Sequence, residues 1–517
     1  MGKKINFKSM SRYLGLIIRP ISSLKSRFQW YNRERKFLTF LGEIKDLKDK
    51  TSKSEEIFII VQPWLLTPLP WYLISLAIAF HFYGKRVCII WDDTCFGADN
   101  WYERFQQNSI SHIIRKMPKY IGHLRLSDSA ESSEKLASTF QVHHLVRKNK
   151  TIQYRGEVFP KESKQLEIST EKSLKKTAGH IASLLENHRP AYIVIGGGGY
   201  RSSGLWMDIA KSMKIRVATI DSGFSILLLS TDGIAANLDD IPRAFQMLPI
   251  EDDWVIDEAK SELKRRMFGK DLFNSQNVPA TGEKYSYGIV LPLNQSYDLS
   301  ALERHNVFKN QTEWILETVA WVLNNTLEKV VIRRHPVERH KGFASNDDYR
   351  SRLKERFGDN DRICFIDSDA PVNTYDLIEQ ARVVVTYVST VGIEAAALGK
   401  VVVTEGSNCY ANLGFVWGAR NKEQYFDYLS KAVNGKLEIN NEQIDDAWRC
   451  YYLTQVCNWH HTIFTPQASD FDKWVIENPE ELLNRQEVID VIDAIDKNIP
   501  LSIIAHNCRK EAKVKNV

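Results

Sequence analysis

The sequence lacks the cysteine patterns that mark zinc-binding and disulfide-stabilised proteins. It has seven cysteines among 517 residues, with no C-x-x-C pair and no histidines at zinc-finger spacing. Several of these cysteines stand within apolar stretches, where a free thiol behaves as a small hydrophobic side chain. We therefore expect a protein of the reducing cytoplasm.

The sequence also has little that indicates export or a membrane span. The longest apolar run near the start, residues 14–18, is too short for the core of a signal peptide. Residues 57–84 contain no Asp, Glu, Lys or Arg and are long enough to cross a bilayer, but three prolines interrupt them. Because proline is tolerated in the first turn of a helix, we predict a short strand followed by a helix over about 70–83.

Hydrophobic residues make up 43% of the chain and charged residues 26%, which is typical of a soluble globular protein. A chain of 517 residues is too long for a single ordinary core. Repeats and low-complexity tracts are absent from the sequence. We therefore expect two main folded domains.

Positive charge is concentrated at the amino terminus, where residues 1–36 hold ten Lys or Arg and one acid, Glu34. Apolar residues recur there at three- or four-residue steps and predict an amphipathic helix over 21–47. The residues of this stripe are Ile21, Leu24, Phe28, Tyr31, Leu38 and Leu41. Such a helix can lie on an anionic membrane or pack on the body of the protein, and the pattern fits both. We expect no nucleic-acid partner.

From residue 56 onward, short apolar runs alternate with helix-length segments, which predicts doubly wound parallel sheets. The runs are "IFIIV", "VCIIW", "HHLV", "AYIVIGGGG" and "RVATIDSG", then "YGIVLPL", "KVVIRRHP", "RICFI", "ARVVVTY" and "KVVVTEG". A polar stretch, 274–286, separates the two sets. We predict two Rossmann-like domains, 55–279 and 280–464, facing each other across a cleft. The basic segment 1–54 precedes them, and a helical extension and tail, 465–517, follows.

Ligands of open α/β sheets bind at the carboxyl ends of the strands, so polar residues after the predicted strands are site candidates. In "VVVTYVSTVGIEAAALGKVVV" the chain leaves a strand and begins a helix at Ser389, Thr390 and Gly392. Unpaired N–H groups at a helix start attract phosphate, and Glu394 is placed to accept hydrogen bonds from a ribose. The alternative is that a hydroxyl caps the helix and Glu394 is an ordinary first-turn acid.

Two further strand ends carry polar clusters. "KVVIRRHPVERH" ends a strand in Arg333, Arg334 and His335, which can neutralise a phosphate leaving group without a metal. "YGIVLPLNQSYDLS" carries Gln295 and Asp298, and Asp298 can act as a nucleophile or general base. The alternatives are a solvated basic turn and a capping aspartate.

The first half has weaker candidates on what we predict to be the acceptor side of the cleft. Gly197 and Gly198 belong to a glycine-rich strand exit, although no G-x-G-x-x-G dinucleotide motif can be read there. Asp221 and Asp232 lie in a stretch rich in small and acidic residues. Tight helix–sheet packing and helix capping explain these residues equally well.

Together, the stretches "LPLNQSYD", "RRHP" and "STVGIEAAALGKVV" resemble the capsule polysaccharide synthesis family of bacterial glycosyltransferases, which includes β-Kdo transferases. The resemblance covers roughly 285–415. It implies a GT-B fold, two Rossmann-like domains across a cleft, and metal-independent transfer from a nucleotide sugar without a further cofactor. It makes His335, Ser389, Thr390 and Glu394 donor-binding residues and Asp298 a candidate nucleophile.

The family resemblance leads us to expect a cytoplasmic glycosyltransferase at the inner membrane face, acting on a capsule or lipopolysaccharide precursor. The expected donor is a CMP-activated acid sugar such as Kdo, and the acceptor is a glycan or lipid-linked glycan. Three alternatives stay open. They are a UDP- or GDP-sugar donor, transfer from a CDP-polyol, and a non-catalytic subunit of polysaccharide assembly.

Overall fold

The fold was analysed in a computed structural model of the chain. The model describes residues 27–28, 30–45, 55–64, 69–94, 101–129, 140–161, 163–223, 226–271, 276, 278–298, 304–462, 476 and 478–515.

The first of two β-sheets has seven strands in the order β13-β6-β5-β4-β1-β2-β3. Its strands are β1 (Glu56–Val61), β2 (Arg86–Trp91), β3 (Gly122–Arg125), β4 (Tyr192–Gly196), β5 (Arg216–Gly223), β6 (Ile226–Ser230) and β13 (His460–His461). Strands β1 to β5 run parallel, in the 3-2-1-4-5 order of a Rossmann sheet. Strands β6 and β13 are antiparallel additions at one edge.

The second sheet has six strands, all parallel, in the order β12-β11-β10-β7-β8-β9. They are β7 (Ile289–Pro292), β8 (Val330–Arg333), β9 (Ile363–Ile366), β10 (Val383–Thr386), β11 (Val401–Thr404) and β12 (Trp417–Gly418). Two Rossmann-like sheets in one chain are the arrangement of the GT-B fold. The α/β fold-class prediction is confirmed.

Helices connect the strands and cover the sheets. Residues 30–44 form α1. The others are α2 (Leu69–Phe82), α3 (Trp101–Ile114), α4 (His143–Tyr154), α5 (Ser163–His188), α6 (Arg201–Ser212), α7 (Ile241–Met247), α8 (Trp254–Met267), α9 (Gln311–Asn325), α10 (Tyr349–Phe357), α11 (Thr374–Gln380), α12 (Val391–Ala397), α13 (Lys422–Val433), α14 (Asn441–Tyr451), α15 (Pro479–Leu483), α16 (Gln486–Lys497) and α17 (Leu501–Lys515). No described helix is long and apolar enough to span a membrane.

The central strands of both sheets are apolar because both of their faces are covered. In β1, Ile57 and Ile59 join one core cluster while Phe58 and Ile60 join another on the opposite face. The second sheet is likewise buried on both sides. Helices α7 and α8 pack into the core of the second sheet although they precede its first strand.

The pattern "HHLV" was wrongly predicted to be a strand, because it begins helix α4. Its apolar residues Leu145 and Val146, with Thr151 further on, are buried on one side of that helix. The third strand of the sheet is instead β3, which the sequence analysis missed. Its sequence, "GHLR", has no apolar run, because β3 is a largely exposed edge strand.

Helix α1 packs on the protein through a face that overlaps the predicted stripe only at Leu38 and Leu41. The buried residues are Trp30, Phe37, Phe40, Leu41 and Ile44, each at most 1% exposed. Trp30 and Phe37 lie against Trp71 of α2, with ring centroids 5.3 and 5.1 Å away. Phe28 and Tyr31, from the predicted stripe, are 65% and 61% exposed. Ile21 and Leu24 fall outside the described residues.

A short segment of the first domain, directly after α4, makes hydrogen bonds to the second domain. The Glu157 carboxylate accepts hydrogen bonds from Gln311 N (2.9 Å) and Thr312 N (3.2 Å) at the start of α9. Asn346 N donates to Arg155 O at 2.7 Å. The carboxyl-terminal part of the chain also returns to the first domain, where α16 joins the core and β13 pairs with β6.

Candidate functional site

Three of the predicted polar clusters follow neighbouring strands of the second sheet. Strand β7 lies between β8 and β10, so the exits of all three strands meet at one edge. Leu293 N donates to Arg333 O (2.9 Å), and Val388 N donates to Asn294 Oδ1 (3.3 Å). The order of strands reverses between β7 and β10, which is where open α/β sheets bind ligands. This edge is the main candidate site.

The exit of β7 is tied to its neighbours by side-chain amides. Gln295 Nε2 donates to Phe343 O and, at 3.2 Å, to Tyr297 Oη. Asn294, which the sequence analysis did not select, reaches the exit of β10 through the bond to Val388. Asp298 is exposed, and the chain beyond it is not described until residue 304. The predicted nucleophilic role of Asp298 remains a prediction.

Both arginines at the exit of β8 are held by backbone carbonyls. Arg333 is only 1% exposed, and its guanidinium donates to Asp367 O and Val372 O. Burial lowers the pKa of Arg333 to about 10. Arg334 donates to Glu338 Oε2 (3.0 Å) and to Ser345 Oγ (2.9 Å). These contacts organise the loops around the site, so each arginine has a structural role in addition to its predicted donor contact.

His335 is the side chain at this edge best placed to donate a hydrogen bond to an anion. Its Nδ1 accepts a hydrogen bond from Val337 N at 3.2 Å. Burial and the charges of Arg266, Arg333 and Arg339 lower the pKa of His335 to about 4. The ring is therefore neutral at pH 7, and with Nδ1 as an acceptor its proton lies on Nε2. His335 thus offers an N–H donor in a region of positive charge.

The exit of β10 is packed tightly by an aromatic side chain from the segment after β11. Tyr410 Oη donates to Ser389 O at 2.5 Å, and Ser389 Oγ accepts a hydrogen bond from Val391 N at 3.3 Å. A Cβ on Gly392 would lie 2.3 Å from Tyr410 Oη. Gly392 therefore makes room for Tyr410, and Ser389 has the capping contact that was the alternative interpretation.

Glu394 lies in the interior, one turn into α12. It is 0% exposed, and its carboxylate accepts a hydrogen bond from Tyr375 Oη at 2.7 Å. Arg266 Nε lies 3.3 Å from Glu394 Oε1, and Thr390 Oγ1 donates to the same oxygen at 3.5 Å. The carboxylate is thus paired within the protein, and its predicted contact with a ribose remains a prediction.

The glycine turn of the first domain follows β4, at the carboxyl edge of the first sheet. Gly197 has a φ of +74°, and a Cβ there would lie 2.4 Å from the Trp64 ring. Gly198 has a φ of +88°, and a Cβ there would lie 2.8 Å from Thr219. Both positions need glycine for backbone conformation and packing. This geometry agrees with the packing alternative, and the acceptor-side role of the two residues remains a prediction.

The two acidic candidates of the first domain lie at different levels of the sheet. Asp221 is near the carboxyl end of β5, beside the glycine turn. Asp232 is exposed and follows the antiparallel strand β6, where Gly233 N donates to Val217 O at 3.1 Å. Asp221 and Val217 are four residues apart, so the two acids are separated by roughly 13 Å at 3.3 Å per residue. They do not form one cluster.

The first edge also has a buried carboxyl that the sequence analysis did not select. Asp92 follows β2, is 1% exposed, and accepts hydrogen bonds from Thr94 N (3.1 Å) and Trp206 Nε1 (3.2 Å). Burial raises the pKa of this carboxyl. Beside it, Gln62 Oε1 accepts a hydrogen bond from Ser202 Oγ at 2.7 Å. Asp92 stands in the pair "DD", which gives no sign of which acid is buried.

Arg266 and Arg339 are further residues that sequence reasoning missed. Arg339 belongs to the 3-10 helix Pro336–Arg339, directly after His335. Arg266 lies in the last turn of α8, next to Lys264 and Arg265. A basic run at a helix end is common because it complements the helix dipole, so the sequence does not show which member turns inward.

A metal site is not apparent in the part of the chain that the structure describes. Within those residues, no three His, Cys, Asp or Glu side chains are grouped so that they could hold an ion. The expectation of metal independence remains a prediction.

A family model covers the edge of the second sheet described above. Residues 255–432 match the model of capsule polysaccharide biosynthesis proteins. The match covers about a third of the chain. It begins in α8 and ends in α13, so it includes Arg266 and the exits of β7, β8 and β10. No curated protein matches the sequence of this chain.

Solved structures with some similarity include transferases and an epimerase. KpsC of Thermosulfurimonas dismutans, a β-Kdo 2,4 transferase, has 18% identity and a TM-score of 0.34, over 50% of this chain and 79% of that one. UDP-GlcNAc 2-epimerase of Methanocaldococcus jannaschii has 13% identity and a TM-score of 0.26, over 78% and 99%. A glycosyltransferase of Rickettsia africae has 10% identity and a TM-score of 0.29, over 86% and 100%. Similarity this low carries no argument about activity.

Proposed function

We propose that this protein is a GT-B glycosyltransferase that binds a nucleotide sugar at the carboxyl edge of the second sheet. The observation that carries this proposal is His335, whose Nδ1 accepts a hydrogen bond from Val337 N so that Nε2 can donate, together with Arg266, Arg333 and Arg339, whose charges act on it. A hydrogen-bond donor in a positive field stabilises the negative charge that develops on a phosphate leaving group. The family stretch contains all four residues, which supports the same conclusion.

The leaving group would be stabilised without a metal ion. Arginine guanidinium groups and an imidazole N–H can supply the charge compensation that a divalent cation supplies in other transferases. We therefore expect transfer to continue in EDTA. Loss of transfer in EDTA, with recovery on addition of Mn²⁺, would contradict this part of the proposal.

The donor we propose is a CMP-activated acid sugar such as Kdo. Arginines suit such a donor because a guanidinium binds a carboxylate as well as a phosphate. UDP- or GDP-sugars and CDP-polyols are the alternative donors, since they carry the same kind of anionic leaving group. The base and the sugar therefore have to be determined by binding experiments.

The acceptor would approach from the first domain. We propose a bacterial capsule or lipopolysaccharide precursor, free or lipid-linked, in contact with the exits of β1, β4 and β5. Trp64 and the turn of Gly197 and Gly198 lie there, and Asp221 is next to them. Asp298 is our candidate nucleophile or base, because it is exposed at the edge where the donor would bind.

The test is a panel of nucleotides in a thermal-shift assay, with CMP, CDP, UDP and GDP compared at one concentration. A nucleotide that binds only the folded state raises the melting temperature. At a nucleotide concentration of one hundred times Kd, the free energy of unfolding increases by about 2.7 kcal/mol. We expect one cytidine nucleotide to stabilise the wild type and not His335→Ala. Since His335 caps no long helix, the variant should melt close to wild type without ligand. If none of the nucleotides binds, the non-catalytic alternative replaces the transferase.

We further propose that the protein works on the cytoplasmic side of the inner membrane. The exposed aromatics Phe28 and Tyr31 project beside Arg27, Arg35 and Lys36, and aromatic and basic side chains together favour an anionic lipid surface. We expect co-sedimentation with phosphatidylglycerol vesicles that weakens in high salt and in the double variant F28S/Y31S. Equal sedimentation of wild type and variant would show that Phe28 and Tyr31 do not contribute to membrane binding.

A further inference from the structure

The last turn of α8 has two neighbouring arginines with opposite surroundings. Arg265 is 60% exposed and pairs with Glu262 on its own helix at 2.9 Å. Arg266 is only 15% exposed and turns into the core of the second domain. Because both residues are arginines in the same helix turn, Arg265 is a suitable control for Arg266.

Arg266 connects three helices around the start of α12. Its Nε donates to Tyr375 Oη of α11 at 3.1 Å and lies 3.3 Å from Glu394 Oε1 of α12. Its Nη1 donates to Gln455 Oε1 at 3.3 Å and lies 3.7 Å from Asp271 Oδ2. The guanidinium thus holds Glu394, which in turn accepts the hydrogen bond from Thr390 at the turn after β10.

We propose that Arg266 is a positioning residue of the anion site, because it fixes the turn after β10 through Glu394 and adds positive charge next to His335. This inference rests on the proposed function for the identity of the anion, a phosphate or diphosphate. It assigns a part of the donor site to a helix that precedes the second sheet and is more than sixty residues from His335 in sequence.

The charges around the two residues are consistent with this role. Three cations face His335, namely Arg266 from α8, Arg333 from β8 and Arg339 from the following 3-10 helix. Around Arg266 stand the carboxylates of Glu394 and Asp271 and the phenols of Tyr375 and Tyr451. Removal of Arg266 would leave His335 with two cations, and its pKa would rise from about 4.

The experiment must separate the loss of charge from a failure to fold. Arg266→Gln alone would leave Glu394 as an unpaired buried carboxylate, so the main variant is the double change R266Q/E394Q, compared with E394Q. R266K keeps the charge and loses the planar fork, and R265Q is the matched exposed control. Two quantities are measured: the pKa of His335 by NMR, assigned with H335Q, and the affinity for inorganic pyrophosphate by calorimetry.

We expect R266Q/E394Q to raise the pKa of His335 by at least half a unit relative to E394Q and to weaken pyrophosphate binding about ten-fold, since a site that loses a nearby positive charge attracts an anion less strongly. R266K should keep the pKa of His335 near that of wild type, and R265Q should change neither quantity. An unchanged pKa and affinity in folded R266Q/E394Q would overturn the proposal, as would a wild type that binds no pyrophosphate. If pyrophosphate binds but no nucleotide does, the proposed glycosyltransferase function fails and the role of Arg266 stands.

Discussion

The carboxyl edges of the two sheets differ in charge although their parallel cores have the same strand order, which is β3-β2-β1-β4-β5 in the first sheet and β9-β8-β7-β10-β11 in the second. At the second sheet, three arginines surround a neutral histidine, and a buried guanidinium pairs with a buried carboxylate. At the first sheet, the strand exits carry Gln62, Asp92 and a glycine turn packed on Trp64. The same core strand order thus carries a cluster of arginines at one edge and a mixed set of amide, acidic and glycine residues at the other.

This difference shows that topology determines where a ligand binds and that side chains determine which ligand it is. In the proposed reaction, an anionic donor would occupy the second edge and a glycan the first. Four changes test how far the contrast between the edges extends.

The largest expected effect concerns the buried acids of the two edges. Glu394→Gln would remove the nearer of the two carboxylates that pair with the largely buried Arg266, so we expect a loss of about 3 kcal/mol in the free energy of unfolding. Asp92→Asn replaces an acid whose pKa is raised by burial, and an amide resembles the protonated form. We expect that loss to be only about 1 kcal/mol.

Denaturation midpoints of the two variants measure this difference, with exposed Glu355→Gln as the control. The control should lie within about 0.5 kcal/mol of wild type. Equal losses for the two buried acids would contradict the expected difference between an acid paired with an arginine and one held by neutral hydrogen-bond donors.

The second effect concerns the glycines of the two edges. Gly392→Ala and Gly197→Ala each introduce a clash, with Tyr410 at 2.3 Å and Trp64 at 2.4 Å, and each should cost roughly 1–3 kcal/mol. Only Gly197 also has a positive φ, which strains any other residue. Double-mutant cycles with Tyr410→Leu and Trp64→Leu should therefore recover more stability at Gly392. Equal recovery would show that the backbone at Gly197 is not strained.

The third effect concerns the contact between the first and the second domain. His305 of the second domain lies 3.5 Å from Glu157 of the first domain and 3.6 Å from Glu405. Burial alone would lower the pKa of His305, but the two carboxylates outweigh it and raise the pKa to about 9. A base with a raised folded-state pKa stabilises the fold below its unfolded pKa of about 6.5. This stabilisation should be lost as the pH rises through about 9.

Urea midpoints between pH 6 and pH 10 measure the contribution of His305, which is at most about 3 kcal/mol. The variant His305→Gln should be less stable than wild type at pH 6 and close to it at pH 10. A constant difference across this pH range would exclude protonated His305 as the link.

The smallest effect is expected at Asp232. It is exposed and lies far from the carboxyl edge, so Asp232→Asn should change stability by less than about 0.5 kcal/mol and leave transfer unchanged. Asp221→Asn should lower transfer measurably, because Asp221 adjoins the glycine turn. If Asp232→Asn has the larger effect on transfer, the acceptor lies elsewhere than at this edge.

Much of the fold could be predicted from local patterns. Continuous apolar runs such as "IFIIV" and "ARVVVTY" are typical of strands buried on both faces, and β1 and β10 are found there. The edge strand β3 could not be found in this way, because an exposed edge needs no apolar run. "HHLV" was wrongly predicted to be a strand, because two adjacent apolar residues fit a helix as well as a strand.

The edge that carries the candidate site could be predicted from the sequence, but the direction of its side chains could not. Polar residues after β7, β8 and β10 were correctly predicted to share one edge. Arg333 and Glu394 were predicted to face a ligand, and the structure buries both against protein partners. Arg266 was not predicted, because its partners come from helices far along the chain.

The sequence by itself determined the alternation of strands and helices, and with it the two largely parallel sheets and the edge that carries the candidate site, because hydrophobic periodicity is a local property. Only the tertiary structure decided which polar residues at that edge are neutral, paired or exposed. Burial and charge depend on neighbours brought together from distant segments, as Arg266, His335 and Glu394 are here.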